Sequence, residues 1–362
     1  MLNSHPKKRS EGGDLLGGGD KNSRSFPDVP LPKISPLKPT AVYDAYWRFA
    51  AERQDIFFSR AEGHPPPWTR DEILTTYKFT NAYRASDRVS QYLIRRVIYR
   101  ADLPASHEET FFRVMLFKLF NKIETWEMLE RKLGALTWRT FDFKRYDKVL
   151  ADAMAAGQRI YSAAYIMPSA GSLGYDRKHR NHLALIERMM SDGLPRKIAA
   201  AKRMQDGFEL LLGYPSLGDF LAYQYITDLN YSELTDFSEM DFVVAGPGAL
   251  DGISKCFADT AGLNPPEIIR FMADRQEAEF ERLGLRFRSL WGRRLQLIDC
   301  QNLFCEVSKY SRESHPGVTG IANRTRIKQK FRPTDSPISY WYPPKWGIND
   351  KVVASLPSNA IQ

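Results

Sequence analysis

Three carboxylates stand close together in "TDFSEMDFVVAGPGALDGI", which runs from Thr235 to Ile253. Asp236, Glu239 and Asp241 are groups that take up a proton, orient a nucleophile or stabilise a developing positive charge. The glycine-proline-glycine turn behind them, with Gly246 and Gly248, is the kind of backbone that lets N–H groups approach a phosphate. Spacing excludes a nucleotide loop of the G-x-x-x-x-G-K-[ST] type. Gly246 and Gly252 are separated by five residues, and Ile253 and Ser254 precede Lys255. A self-contained P-loop kinase is therefore not expected.

The other reading of the turn is a helix-hairpin-helix loop, h-x-G-x-G, gripping a DNA backbone. "AGPGALDG" supplies Gly246, Gly248 and the small Gly252, with Lys255 following; "YPSLGDFLAYQ" supplies Ser216, Gly218 and Ala222. The acidic cluster follows the second of these turns by about twenty residues. That order resembles the helix-hairpin-helix DNA glycosylases, in which an Asp at a helix start acts on a flipped nucleotide. The glycosylase lyase lysine and cluster cysteines have no counterpart here, and Asp236 with Glu239 equally fits a D-x-x-E helix cap.

A second group lies in "NAYRASDR" and in the helix after Gly218. Asn81, Tyr83, Arg84 and Arg88 come from the first stretch, Tyr223, Gln224 and Asp228 from the second. The tyrosines could stack on a base or fill a core; the arginines could meet a phosphate or an internal acid; Gln224 and Asp228, at i and i+4, could read a base edge or cap the bundle. A third group is the cationic run in "NRTRIKQKFRP", where Arg324, Arg326, Lys328 and Lys330 recur at every second position, followed by the aromatic "YWYPPKW". Charges interleaved with exposed rings suit a nucleic-acid strand; alternating cations also occur on plain solvated edges.

The elements that must carry these residues read as helices. "YDAYWRFAAERQDIFFSR" has helical periodicity with Gly63 as its stop. Thr69 with Glu72 and Ser106 with Glu109 look like capping boxes, and "TFFRVMLFKLFNKIETWEML" reads as one long helix buried on several sides. Further helices are expected at about 142–157, 178–193, 195–211, 217–229 and 265–284, the last opened by Asn264 and Pro265. Only "RLQLIDC" and "FVVA" read as strands. The expected class is mainly α: a glycosylase-like bundle with an irregular basic and aromatic C-terminal extension. The expected division is a disordered basic tail (1–40), the helical domain (41–290), the C-terminal segment packed on it (291–350) and a flexible tail (351–362).

Bulk composition fits. The 362 residues are 43% hydrophobic and 12% aromatic, enough for a sizeable core. Mean hydropathy of −0.44 and the lack of an eighteen-residue apolar run argue against a membrane protein. No signal peptide is visible, so the chain is expected to be cytoplasmic. Net charge of +9 and a pI near 9.3 favour a polyanionic partner. Three cysteines, Cys256, Cys300 and Cys305, make no disulfide framework or zinc site, and His179 and His182 in "HRNH" lack companion ligands, so no metal and no cofactor are expected.

The strings "YWRFAAERQDIFF", "YKFTNAYRASDRVSQYLIR", "FKLFNKIETWE", "IYSAAYIMPS", "FLAYQYITDLNYSELTDFSEMDFVVAGPGALDGI", "LQLIDCQNLFCEVSKY" and "RTRIKQKF…WYPPKWG" together resemble a DNA-base hypermodification family. It is described as the 5-hydroxymethyl-deoxyuridine DNA kinase helical domain, or α-glutamyl/putrescinyl thymine pyrophosphorylase. The resemblance covers about residues 43–348. It implies a glycosylase-related helical fold acting on a modified thymine in DNA, with a group transferred at the 5-CH2 position of a flipped base. It also implies DNA as partner and a separate P-loop kinase as a second one. The open alternatives are a true glycosylase and a non-catalytic DNA-binding module.

Overall fold

A computed structural model describes residues 37–163, 167–332, 338–357 and 360. Among them are fourteen α-helices: α1 (Ala41–Ala61), α2 (Glu72–Thr76), α3 (Arg88–Tyr92), α4 (His107–Phe120), α5 (Ile123–Leu133), α6 (Phe143–Ala155), α7 (Lys178–Ser191), α8 (Leu194–Ala200), α9 (Met204–Leu212), α10 (Asp219–Leu229), α11 (Pro247–Cys256), α12 (Pro265–Arg282), α13 (Leu297–Ser314) and α14 (Asn349–Ser355). A π-helical turn, Leu93–Ile98, extends α3, and a 3-10 turn, Arg84–Ser86, precedes it. Two short strands, β1 (Lys38–Pro39) and β2 (Phe257–Asp259), pair antiparallel. The mainly helical class expected from the sequence is what the chain adopts. No described helix is long and apolar enough to cross a membrane. The expectation for residues 1–36 lies outside the described residues.

The helix starts follow capping chemistry. Thr40 accepts the Val42 N–H at the head of α1, and Asn264 with Glu267 forms a reciprocal box at the head of α12. Three helix expectations need correction. The cap of α2 is Asp71, whose Oδ1 accepts the N–H groups of Ile73 and Leu74, whereas Thr69 only braces Asp71 and Glu52. The single long helix from residue 110 is two, because Asn121 adopts φ +48°, a left-handed C-cap that ends α4 and turns the chain into α5. Likewise 195–211 divides into α8 and α9.

Neither expected strand forms. "FVVA" lies in irregular chain, and "RLQLIDC" leads into α13, a core helix with Leu297, Cys300, Leu303, Phe304 and Val307 all inaccessible. Each such apolar side chain contributes roughly 1.5–3 kcal/mol by leaving water. That helix packs tightly on α11 through glycines. A Cβ on Gly252 would lie 2.1 Å from the Phe304 carbonyl oxygen, and one on Gly248 3.0 Å from Cys305 Sγ. The missing side chains let the two backbones meet. On the other side of the fold α4 is buried around its whole circumference from Glu109 to Phe120, packed by α5, α7, α8, α10 and the π-turn. The final helix, α14, lies where a flexible tail was expected, with Val352 buried.

Candidate functional site

Arg84 is placed by the 3-10 turn that ends "NAYR". Its own N–H donates to Asp299 Oδ1 at the start of α13 (2.9 Å), which turns the side chain toward α10. There the guanidinium makes a fork with Asp228: Nη1 to Oδ1 at 2.7 Å and Nη2 to Oδ2 at 3.0 Å. Nε donates to Gln224 Oε1 (2.9 Å), and Nη1 also reaches the Tyr231 hydroxyl (3.0 Å). Lys118, from the last turn of α4, meets Asp228 Oδ2 at 3.0 Å and donates to Asn121 Oδ1 at 2.9 Å. Two cations thus share one carboxylate, with side chains exposed by only 4% (Arg84), 5% (Lys118) and 1% (Asp228).

Charge balance extends outward. Burial alone would raise the Asp228 carboxyl, but Arg84 and Lys118 overcome it and hold it below the usual carboxylate range. Asp299 is pushed up to about 7, chiefly by burial and further by Glu239, against the N–H bonds from Gln296 and Arg84. Glu239 is bonded to Arg293 at 2.9 Å, and the Arg293 guanidinium lies 3.9 Å over the ring of Trp346. The site is therefore an ionic seam between α4, α10, α13 and the loop after α10, in which Glu239 and Arg293 act on Asp299 through space.

That loop, residues 230–246, contains no helix, so no helix begins at Asp236 and the D-x-x-E cap is overturned. Asn230 shapes it instead: Oδ1 accepts from Thr235 Oγ1 and Phe237 N, and Nδ2 donates to the Phe237 carbonyl. Lys345 clamps it from outside by donating to the carbonyls of Ser232 and Thr235. The three acids part company here. The Asp236 side chain is 89% exposed, 3.8 Å from Lys345 Nζ. Asp241 is exposed and its carbonyl accepts from Arg270. Glu239 alone turns inward to the seam.

Of the residues expected to form a base pocket, Arg84, Gln224 and Asp228 are brought together, as partners of one another. Asn81 shapes its own turn, accepting from Arg53 Nη2 (3.0 Å) and donating to the Ser86 carbonyl (2.8 Å). Tyr83 and Tyr223 are core residues, each 1% exposed; Tyr83 stacks on Phe287 and donates to the Arg293 carbonyl. Neither ring presents a face to solvent, which corrects the stacking role. Arg88 is exposed at the first position of α3.

The phosphate-binding candidates also separate. Ser216 (φ +68°) and Gly218 form a turn between α9 and α10, with Gly218 exposed at the α10 N-cap. No helix precedes Gly246, whose absent side chain makes room for Phe220, so "AGPG" is not a hairpin between helices and its glycines face protein. Lys255 is 3% exposed and donates to the Ser308 carbonyl (2.9 Å) and Ser311 Oγ (3.3 Å), so it faces the interior. Arg324, Arg326, Lys328 and Lys330 are exposed along extended chain while Ile327 points inward. The segment is held to the chain after α2 by Lys78 N to Gln329 O (3.0 Å) and Phe331 N to Thr76 O (2.9 Å). At its start Asp251 of α11 accepts the Ala322 N–H (2.7 Å) and the Ser308 hydroxyl.

The aromatic run does not line that cationic edge. Tyr340 and Tyr342 are buried; Tyr342 shares a hydrogen bond with Ser86 Oγ (2.9 Å), Trp341 meets Tyr99 edge-on, and Trp346 packs on Tyr231 and Arg293. The rings cover the Arg84 turn and the acidic loop. Lys118, Tyr231, Arg293 and Asp299 were not singled out by sequence. Lys118 carried the clearest signal, a lone lysine inside the apolar "VMLFKLF", which burial obliges to find a partner.

Residues 40–320 match the model of a family described as 5-hmdU DNA kinase, helical domain. A 5-hmdU DNA kinase of Bacillus phage SP10 is 29% identical over 290 residues, covering 74% of this chain and 45% of that protein. The chain thus spans less than half the length of this relative. No solved structure matches. Arg84, Lys118, Gln224, Asp228, Glu239, Arg293 and Asp299 all fall inside the matched stretch, and with it covering well over half the residues, the chain belongs to the 5-hmdU DNA kinase helical-domain family.

Proposed function

We propose that this chain is a DNA-engaging enzyme of thymine hypermodification. It takes a flipped 5-hydroxymethyluracil and supports group transfer at its 5-CH2 position, with the nucleotide chemistry supplied by a separate P-loop kinase. The observation that carries this is the family match over residues 40–320, which contains the whole ionic seam. The exposed edge from Arg324 to Lys330 is the phosphate-contacting surface, and the α9–α10 turn with Ser216 and Gly218 gives the second backbone contact in a hairpin-like manner. In the transfer the hydroxymethyl oxygen attacks the γ-phosphorus of the nucleoside triphosphate held by the kinase and loses its proton to a carboxylate, while the bond to the β-phosphate oxygen breaks and the nucleoside diphosphate leaves. Asp236 is the acid open to a base arriving from solvent. Glu239 holds Arg293 over Trp346, and Asp241 anchors Arg270 through its carbonyl.

A second reading, a non-catalytic module presenting DNA to the kinase, is supported by the lack of Walker spacing around Gly246 and Gly252. The test uses duplexes that differ only in thymine or 5-hydroxymethyluracil. Binding should weaken with salt, and the slope of log K against log salt should fall by about 3 to 4 when Arg324, Arg326, Lys328 and Lys330 become Gln, at about 0.9 per phosphate contact. Affinity indifferent to salt overturns the DNA reading. Nucleoside mass after incubation with the kinase and a nucleoside triphosphate should gain one phosphate, and Asp236→Asn should abolish that gain. Full gain with Asp236, Glu239 and Asp241 all neutralised selects the presenting module, and abasic sites select a glycosylase.

A further inference from the structure

Away from the ionic seam, α5 and α6 leave an open valley of about 540 Å³. One face of α6 with its C-cap forms its length: Arg145, Lys148, Val149, Asp152 and Ala153 of the helix and Ala156 of the cap, positions that recur at three and four residues through three turns, about 16 Å. Met128 of α5 completes an apolar floor with Val149 and the two alanines. Arg131 and Lys132 of α5 face Arg145 and Lys148 across it, all four exposed. Asp152 is the one acid in the lining, and it is bonded to Lys148 at 3.1 Å.

A floor of this kind needs an apolar occupant, and a rim of this kind needs an acidic one. We propose that the α5–α6 valley is a docking groove for an acidic amphipathic helix of a partner protein. Length, floor and rim each match one property of such a helix. Three turns accommodate about eleven residues; Met128 and Val149 receive an i, i+3/i+4 apolar stripe; Ala153 and Ala156 let the partner's backbone come close. The rim cations then meet Glu or Asp flanking the stripe. Duplex DNA would satisfy the cations but has no apolar surface for the floor, so the observations favour the protein helix. The inference does not depend on how the DNA is held.

The test uses the full chain and a fluorescein-labelled eighteen-residue peptide with a leucine and alanine stripe flanked by glutamates. A scrambled peptide of equal composition and a twenty-base-pair duplex serve as comparisons, all read by anisotropy. The amphipathic peptide should bind and the scrambled one should not. Arg145→Glu with Lys148→Glu, and separately Ala153→Trp, which fills the floor without changing charge, should each weaken binding on the order of tenfold. Arg145 and Lys148 are exposed, whereas Ala153 is only 7% exposed, so circular dichroism checks that each variant is folded. Ala156→Trp, at an exposed position of the same floor, takes the place of Ala153→Trp if the latter unfolds. Equal binding of both peptides, indifference to Ala153→Trp, or no binding at about 1 mM peptide overturns the proposal. Duplex affinity that falls in the charge-reversed protein while neither peptide binds overturns it in favour of nucleic acid.

Discussion

Replacing Asp228 by Asn isolates what the ionic seam does for the fold. The side chain keeps its shape, but Arg84 and Lys118 lose the carboxylate that lies 2.7–3.0 Å from both and remain 4% and 5% exposed. Removing one partner of a buried ion pair costs about 3–5 kcal/mol, because the remaining charge stays out of water. Two such cations put the expected loss at the top of that range, about 5 kcal/mol. At about 2 °C per kcal/mol for a chain of this size, the melting temperature should fall by about 10 °C. Asp228→Leu combined with Arg84→Met should cost less than the sum of the two single changes, since the pair is removed together. pH gives an independent check. The folded carboxyl sits below its usual value, so its contribution is complete above the unfolded value of about 4 and disappears as pH falls through the folded value. The difference between wild type and Asp228→Asn, measured by urea unfolding, should therefore be flat from pH 5 to 7 and shrink below about pH 4. A loss under about 1 kcal/mol at pH 7, or a gap that widens in acid, refutes the reasoning.

Two further outcomes follow from packing. Gly252→Ala should force α11 and α13 apart, lowering the urea midpoint by an amount worth about 1–3 kcal/mol, whereas Gly218→Ala, with open space around its Cβ, should change it little. The thiols of Cys256 and Cys300 are pushed well up by burial and that of Cys305 up to about 12, so the native protein should resist a thiol reagent at pH 8 and expose three reactive groups once denatured.

The legible parts were those with local causes. Periodicity and caps placed α1, α6, α7, α10 and α12 to within two residues or so, because apolar spacing and a polar first residue act within one helix. Arg84, Gln224 and Asp228 could be picked out because they are hydrogen-bonding side chains in recognisable stretches, Gln224 and Asp228 at i and i+4 on one helix. What they would meet could not be read, since Arg84 and Asp228 are joined across 144 residues of sequence. α13 was missed where "RLQLIDC" mimics alternation in its first residues and the helical period emerges only afterwards. The glycines of α11 carried a turn-like pattern, but their cause is a neighbour, the Phe304 backbone, that no local pattern announces. The rings after residue 338 looked like a strand platform because exposure is a tertiary property.

The seam also has a bearing on the order of assembly. Its charges come from α4, the Arg84 turn and α10, with Asp299 of α13 holding Arg84 in place, so no contiguous segment can complete it. Arg84 and Lys118 lie within 35 residues of each other, yet their shared counter-ion arrives more than a hundred residues later. Until α10 docks, an N-terminal fragment carries two like charges on surfaces that would otherwise be free to collapse, and hydration of those charges opposes premature burial. Expulsion of water from around Asp228 is thereby tied to a late, long-range closure, with the loop entropy of that separation already spent. A chain still short of residue 228 during synthesis should accordingly stay open and protease-sensitive around α4, and become resistant in a single step once the aspartate is in reach.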